Sequence, residues 1–506
     1  METDSAFLEL DTYSLAGTTD INATKTIFTF RNVDLRAVMG QMWDKYDKFS
    51  IRLRSMRYVA AATTPGGSQG VLIQQNVKGL DWINCYDEKW GSSQTYMPIV
   101  NINASNAAVA RLPTNSNYCW NFRKGQPIVN LEFFTTILIL NTQTPTTVNI
   151  NMPDQNYEFT IQPAEDNQNE MGYFGLYTNQ SNNPTTWPSK VITNNGRTYT
   201  YYGFNMRDVC REFWDKYEDF ELLMGSYMIQ GDTMTQADAL TPIQISGFDF
   251  MNNLTKQGSI YVTANAITGI TYFGITGSVH VSDVTQQYAP VQFKKSGDLV
   301  NLQMEWRNYD NSAINADSPS SNIRQAYFSF FVKPIKRGLN SQKGTLVLSS
   351  AGLTTTMTDL GITNAAYSDI TLNNVDFRQA CASFWDKYTK FNIFLTNMCS
   401  YITTVDTSEV SAQLSIEGLP TDPQVLATNP QQTTTTWNVG AITPAVNQAS
   451  PIGVSITYGN KKSTMFYKTN DKLTLRMYVT DLSNPAAAMT TQILRGTFIF
   501  TIVPVE

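Results

Sequence analysis

Apolar residues fall at i, i+3, i+4, i+7, i+8 and i+11 from Leu35 through Val38, Met39, Met42 and Trp43 to Tyr46. This is the stripe of one helix face, and it predicts a single helix over 35–46 with Asp34 as its N-cap and Asp44 and Lys45 off the stripe. On either side the pattern changes to period two. Short alternating runs at 7–10, 26–30, 49–59, 71–74, 97–102, 118–122, 128–137 and 157–162 predict eight strands, with the helix between the second and third.

The helix stripe is written twice more, at Met206, Val209, Cys210, Phe213, Trp214 and Tyr217 and at Phe377, Ala380, Cys381, Phe384, Trp385 and Tyr388. Trp43, Trp214 and Trp385 each open a Trp-Asp-Lys-Tyr tetrad, and both intervals are 171 residues. A second mark is an aromatic pair with a proline four residues beyond: Tyr157, Phe159 and Pro163, then Phe328, Phe330 and Pro334, then Phe498, Phe500 and Pro504. Between these lies a third, a basic step, a turn and an alternating strand from Asn121, Gln292 and Phe466. Solenoid units span roughly 20–50 residues, so this longer period predicts three whole domains. They are placed at 1–168, 169–339 and 340–506, with connectors near 166–171 and 337–343 short enough to hold neighbours side by side.

Eight short strands and one helix per repeat predict an all-β fold, three tandem two-sheet sandwiches of the jelly-roll type. An immunoglobulin-like sandwich needs only about 100 residues and a Cys, Trp, Cys framework that has no counterpart here. Periodicity leaves the order of strand pairing open.

Composition narrows the function. The 506 residues carry a net charge of −6 with no terminal Lys/Arg run, so an electrostatic hold on nucleic acid is not expected. Neither a signal peptide nor a membrane span of 18 apolar residues is expected. Cys85, Cys119, Cys210, Cys381 and Cys399 form no CxxC; Cys210 and Cys381 are equivalent positions, filled by Met39 in the first repeat, and read as core. Sequons at Asn22, Asn103, Asn179 and Asn253 carry little weight without a secretory route. With one histidine, His280, neither a cupin-like metal site nor a Ser-His-Asp triad is expected, and no enzyme, cofactor or metal site is assigned.

Asp44–Lys45, Asp215–Lys216 and Asp386–Lys387 could be offered as acid/base pairs, but adjacent helix residues do not face each other, and a solvated charged edge accounts for them. Arg36, Arg207 and Arg378 stand near the helix start, where a cation opposes the dipole, so each is expected to have a carboxylate or carbonyl partner within its own fold. The structural signature is thus Arg36, Trp43, Tyr46, Arg207, Trp214, Tyr217, Arg378, Trp385 and Tyr388. Trp90, Trp187, Trp306 and Trp437 do not recur; if exposed together, they would suit a carbohydrate-binding protein.

A repeated domain of this size, with eight strands, a helix after the second and polar loops of variable length, resembles the jelly rolls of icosahedral virus capsids. Three in tandem are similar to minor capsid proteins of large double-stranded DNA viruses. That resemblance implies a virion location and a non-enzymatic role, bridging or cementing major capsomers in an oligomeric shell, with the major and other minor capsid proteins as partners. The main capsid subunit of a small RNA virus is the neighbouring alternative. Loops at 179–188, 308–322 and 422–436 differ between repeats and are the candidate partner contacts.

Overall fold

The described residues of the computed structural model are 4–11, 19–21, 27–61, 70–83, 85–87, 95–96, 100–103, 109–113, 120–139, 151–164, 170–177, 189–193, 198–231, 240–257, 260–272, 279–282, 290–307, 323–336, 342–350, 369–403, 410–421, 434–442, 450–455, 463–481 and 492–505. In the first repeat the eight strands run as Ala6–Asp11, Ile27–Asp34, Lys48–Ala61, Gly70–Lys78, the pair Thr95–Tyr96 and Val100–Asn103, the pair Val109–Pro113 and Trp120–Arg123, Ile128–Ile139 and Asn151–Pro163. The first strand pairs with the eighth, the eighth with the third and the third with the sixth; in the facing sheet the second pairs with the seventh, the seventh with the fourth and the fourth with the fifth. All of these ladders are antiparallel.

The same order is built from 172–334 and again from 344–505. Two four-stranded sheets wound in this order form a jelly roll, so the chain is three tandem eight-stranded jelly rolls, each with a short helix after its second strand.

The alternation that predicts the strands is the alternation that fills the cores. In the eighth strands Tyr157 and Phe159, Phe328 and Phe330, and Phe498 and Phe500 all point inward and are buried. Each such side chain contributes roughly 1.5–3 kcal/mol on leaving water. Pro163, Pro334 and Pro504 lie directly across from Phe49, Phe220 and Phe391 of the third strands. On the other side of those phenylalanines stand Phe122, Phe293 and Phe466 of the sixth. One apolar rung therefore crosses three strands in every repeat.

The helix differs from the single run predicted. Gly40, at φ 55°, separates Leu35–Met39 from Gln41–Lys45. In the second repeat Arg211 takes the same place at φ 43°, and the helix Met206–Cys210 gives way to a 3₁₀ turn, Arg211–Phe213. In the third, Phe377–Ala380 and a 3₁₀ turn, Trp385–Lys387, are likewise separate. A stripe of apolar residues records which side faces the core and is blind to a reversal of φ between two turns. The predicted cap is present: Asp34 Oδ1 accepts from the amide of Ala37 (2.9 Å), and Asp376 Oδ1 from that of Gln379 (3.0 Å).

A second correction concerns the loop placed at 422–436, since Thr434, Thr435 and Thr436 belong to the strand Thr434–Ile442. Loops 179–188 and 308–322 lie outside the described residues, as do Cys119 and Asn195-Gly196, a dipeptide whose sequence predicts a tight turn. The strands flanking that turn, Ser189–Thr193 and Thr198–Asn205, do pair as a hairpin.

Candidate functional site: helix corners and repeat junctions

Each signature tryptophan lies flat on the phenylalanine that starts the third strand: Trp43 on Phe49 with ring centroids 5.7 Å apart, Trp214 on Phe220 at 4.8 Å and Trp385 on Phe391 at 4.8 Å. The lysine that follows the sixth strand lies over each indole. Lys124, Lys295 and Lys468 hold their ammonium groups 5.7, 5.6 and 5.4 Å from the indole centres. Lys295 and Lys468 also donate to the backbone carbonyls of Trp214 and Trp385, at 2.8 and 2.9 Å, capping acceptors that the end of a helical turn leaves open. The basic step in the sequence is this cap.

The arginines have carboxylate partners within their own folds. Arg36 donates to Asp44 (3.0 Å), Arg207 to Asp215 (2.7 Å) and Arg378 to Asp386, so the tetrad's aspartate answers the arginine eight residues before it. Arg207 also reaches Asp298 (2.8 Å), which accepts from the Trp214 indole N–H (2.8 Å); Asp471 takes the corresponding bond from Trp385 (2.8 Å). Hydrogen bonds from Arg207 and Trp214 hold the Asp298 carboxyl below its ordinary range, and those from Arg378 and Lys468 do the same for Asp386. In the first repeat Pro127 occupies this position, and only its backbone carbonyl takes part, accepting from Leu35 N.

The tyrosines close the corner on the chain entering the first strand. Tyr217 donates to Glu170 (2.7 Å), a bond that pushes its phenol up to about 12, and Lys216 reaches the same carboxylate at 3.6 Å. Tyr46 and Lys45 meet Asp4 at 3.3 and 3.5 Å. Tyr388 packs at the edge of the third core. Asp44 and Lys45, like Asp215 and Lys216, therefore serve different partners.

Cys210 and Cys381 are fully buried, and burial pushes both thiols well up, as befits small core residues. Trp306, offered above as an exposed tryptophan, is also core, 5.0 Å from Tyr199 and 5.5 Å from Phe328. Trp90 and Trp187 lie outside the described residues; Trp437 lies on Thr434–Ile442. His280 sits in the strand Val279–Ser282 opposite Ile229. Among the described residues no group of three or more His, Cys, Asp or Glu could hold a metal, and no helix is long and apolar enough to cross a membrane.

Sequence reasoning missed how the repeats are joined. After the fourth strand a glycine turns the chain: Gly79, Gly247 and Gly418, at φ 112°, 109° and 98°. A Cβ at these positions would stand 2.0 to 2.1 Å from the carbonyl oxygen of Asn130, Asn301 or Thr474. Beyond the turn, the segment Cys85–Asp87 leaves the first sandwich and pairs in parallel with the first strand of the second, Cys85 opposite Tyr173. Asn253–Gln257 does the same to the first strand of the third, with Asn253 opposite Thr345.

Side chains lock both junctions. Glu212 accepts from Lys48 (2.6 Å) and from Arg123, while Trp120 packs against Tyr173 with centroids 6.4 Å apart. The hydrogen bond from Lys48, then that from Arg123, keeps the Glu212 carboxyl below its usual range. Ser383, equivalent to Glu212, exchanges two bonds with Asn252, donating its amide to Oδ1 (2.8 Å) and receiving from Nδ2 (2.7 Å). Ile267 packs with Val347 and Ile499 across the second junction.

No protein family matches the sequence, and no curated protein does. Among solved structures, one similar chain comes from the triple jelly roll fold and turret assembly of an archaeal virus: 9% identity over 96% of this chain and 97% of that one, TM-score 0.19. A chain of Sulfolobus Turreted Icosahedral Virus is similar at 10% identity, 96% and 98% coverage and a TM-score of 0.18. One from Red Clover Necrotic Mosaic Virus gives 10%, 66%, 97% and 0.15. The jelly-roll assignment rests on the strand order described above.

Proposed function

We propose that this chain is a structural protein of an icosahedral virus capsid, a minor component that bridges or cements major capsomers and acts by binding, without catalysis. The observation that carries this reading is the double use of one junction. Two successive jelly rolls receive a parallel strand from the repeat before them, so three domains are fixed in series by backbone ladders and cannot swing as on free linkers. A rigid series of sandwiches suits a part that transmits position between neighbours in a shell.

Fusion supports the same reading, because it makes docking between repeats intramolecular and lets each repeat diverge toward its own neighbour. Strands that end at Pro163 and resume at Gly172, then end at Pro334 and resume at Gly344, support domain limits near 168 and 339. Partners are the major and other minor capsid proteins, and the location is the virion.

The test is purification of particles followed by quantitative mass spectrometry. A fixed ratio of this chain to the major shell protein, unchanged through density gradients, is expected; a ratio that falls with every purification step would remove the proposal. Binding on a glycan array that is lost on substituting Trp437 would favour the carbohydrate-binding reading instead.

A further inference from the structure

At the second junction the chain adds more than one strand to the third repeat. Beyond Asn253–Gln257 it turns back as Ile260–Val262, so a hairpin from the second repeat extends the third repeat's sheet. Tyr261 of that hairpin reaches the facing sheet, where its hydroxyl donates to the backbone carbonyl of Asn374 in the bulge of the second strand. Lys256 lies directly across from Tyr261 and is 3% exposed. Its ammonium stands 4.1 Å from the centre of the Tyr261 ring. An ammonium has three hydrogen-bond donors, and a ring face attracts it without offering a lone pair. Among the described residues no oxygen accepts from this ammonium, and the charge that acts on it is a second cation, Lys472. Burial, then that like charge, pushes the Lys256 ammonium below its ordinary range.

Lys472 belongs to the seventh strand of the facing sheet, at the place where the first two repeats have Ile128 and Leu299. It stands 3.9 Å from Asp376, whose carboxylate is already engaged as a helix cap by the amide of Gln379. The bulge differs at this corner as well. Asn130 and Asn301 accept from the bulge amides of Asn32 and Gly203, both at 3.0 Å. Thr474 replaces them in the third repeat and donates its hydroxyl to Asn373 (3.3 Å), so the Asn374 amide lacks the side-chain acceptor its counterparts have. Donors thus gather at the corner where the third repeat meets the hairpin, and two ammonium groups against one shared carboxylate leave an excess of positive charge. A buried ammonium without an acceptor is costly, and the cost is removed by an anion that takes its hydrogen bonds.

We propose that Lys256 and Lys472 bind a small oxyanion of the phosphate or sulfate class at the corner where the second repeat's hairpin meets the third repeat. Lys256 is supplied by the second repeat and Lys472 by the third, so the anion fastens the junction between them. Charge-assisted hydrogen bonds to both ammonium groups hold it. Because the two lysines meet only when the junction is formed, binding stabilises the joined state by mass action. The proposal goes beyond the capsid reading and does not depend on it.

Isothermal titration calorimetry of the purified full-length chain with inorganic phosphate, in chloride buffer of constant ionic strength, tests this. One phosphate per chain is expected, with sulfate competing for the same site, and the thermal transition of the third repeat should rise with phosphate. Lys472→Leu gives an exposed position the residue of the second repeat and should weaken binding about tenfold or more, the loss of one charge-assisted hydrogen bond. Lys256→Met keeps the buried stem and removes the ammonium; it should abolish binding and, in chloride alone, melt no lower than wild type. Lys294→Gln, at an exposed position of the second repeat's sixth strand, should bind as wild type does. Acetate in the same titration separates a tetrahedral oxyanion from a carboxylate, and phosphate is expected to bind the more tightly. Absence of phosphate binding, wild-type affinity in Lys472→Leu, an equal loss in Lys294→Gln, or tighter binding of acetate would each overturn the proposal. If Lys256→Met does not fold, Lys472→Leu decides. No particle enters this test, so a chain that binds phosphate yet is absent from shells refutes the capsid reading alone.

Discussion

The indole of Trp385 lies on the ring of Phe391 with centroids 4.8 Å apart and planes 19° from parallel, and its N–H donates to Asp471. Trp214 and Trp43 keep the stacking, but only Trp214 has the aspartate, because Pro127 replaces it in the first repeat. Trp385→Phe and Trp214→Phe are therefore expected to destabilise by about 2–3 kcal/mol, combining lost packing with a lost hydrogen bond to a charged acceptor. Trp43→Phe should cost about 1 kcal/mol less. Urea unfolding of the three variants checks the ranking.

Arg211 is held at φ 43° in the place where the first repeat has Gly40. A non-glycine residue there carries strain of roughly 1–3 kcal/mol, against roughly 0.5–1 kcal/mol for the extra chain entropy of glycine. Arg211→Gly is expected to stabilise the second repeat by about 1 kcal/mol, seen as a rise in its thermal transition. Gly40→Arg should lower that of the first.

Gly247 leaves no room for a side chain, since a Cβ would lie 2.0 Å from the Asn301 carbonyl oxygen. Gly247→Ala must move backbone as well as adopt an unfavourable φ, and is expected to cost more than about 3 kcal/mol. Because this turn aims the strand at the third repeat, cleavage between the second and third repeats in limited proteolysis should accelerate in this variant.

Acidification should weaken the first junction selectively. The Glu212 carboxyl is lowered by Lys48 and Arg123, so its contribution to stability is fully present above the ordinary glutamate value of 4.5 and is lost as pH falls through the lowered folded value. Proteolysis between the first and second repeats, followed from pH 6 down through the carboxylate range, should show this loss in wild type. Glu212→Gln should be weaker at pH 6 and flatter across the range.

The fold was legible because its two periods are written plainly: the helix stripe ending in Trp43 and the alternation around Tyr157 and Phe159 define the inner faces directly. Strand order was not, since pairing Phe49 with Pro163 and Phe122 is a relation across more than seventy residues that no local period records. Arg36, Arg207 and Arg378 could be expected to need acceptors, because a cation near a helix start is unfavourable alone. That the acceptor is the aspartate eight residues on depends on the separation of the two turns in every repeat, since eight residues of one straight helix would set the pair about 12 Å apart along its axis. The junction strands escaped notice because three residues such as Cys85-Tyr86-Asp87 are too few to show alternation. Their turn is marked by Gly-Leu-Asp-Trp at Gly79 and Gly-Phe-Asp-Phe at Gly247, but the third repeat has Gly-Leu-Pro-Thr at Gly418, and the pattern is hidden.

Electron cryo-microscopy of purified particles tests the central claim most directly. Density for three jelly rolls in series, joined by strands at Tyr173 and Thr345 and seated between major capsomers at one symmetry-defined set of positions, is the predicted result. Shells whose density is fully accounted for by other chains, or repeats joined without those two strands, would contradict it.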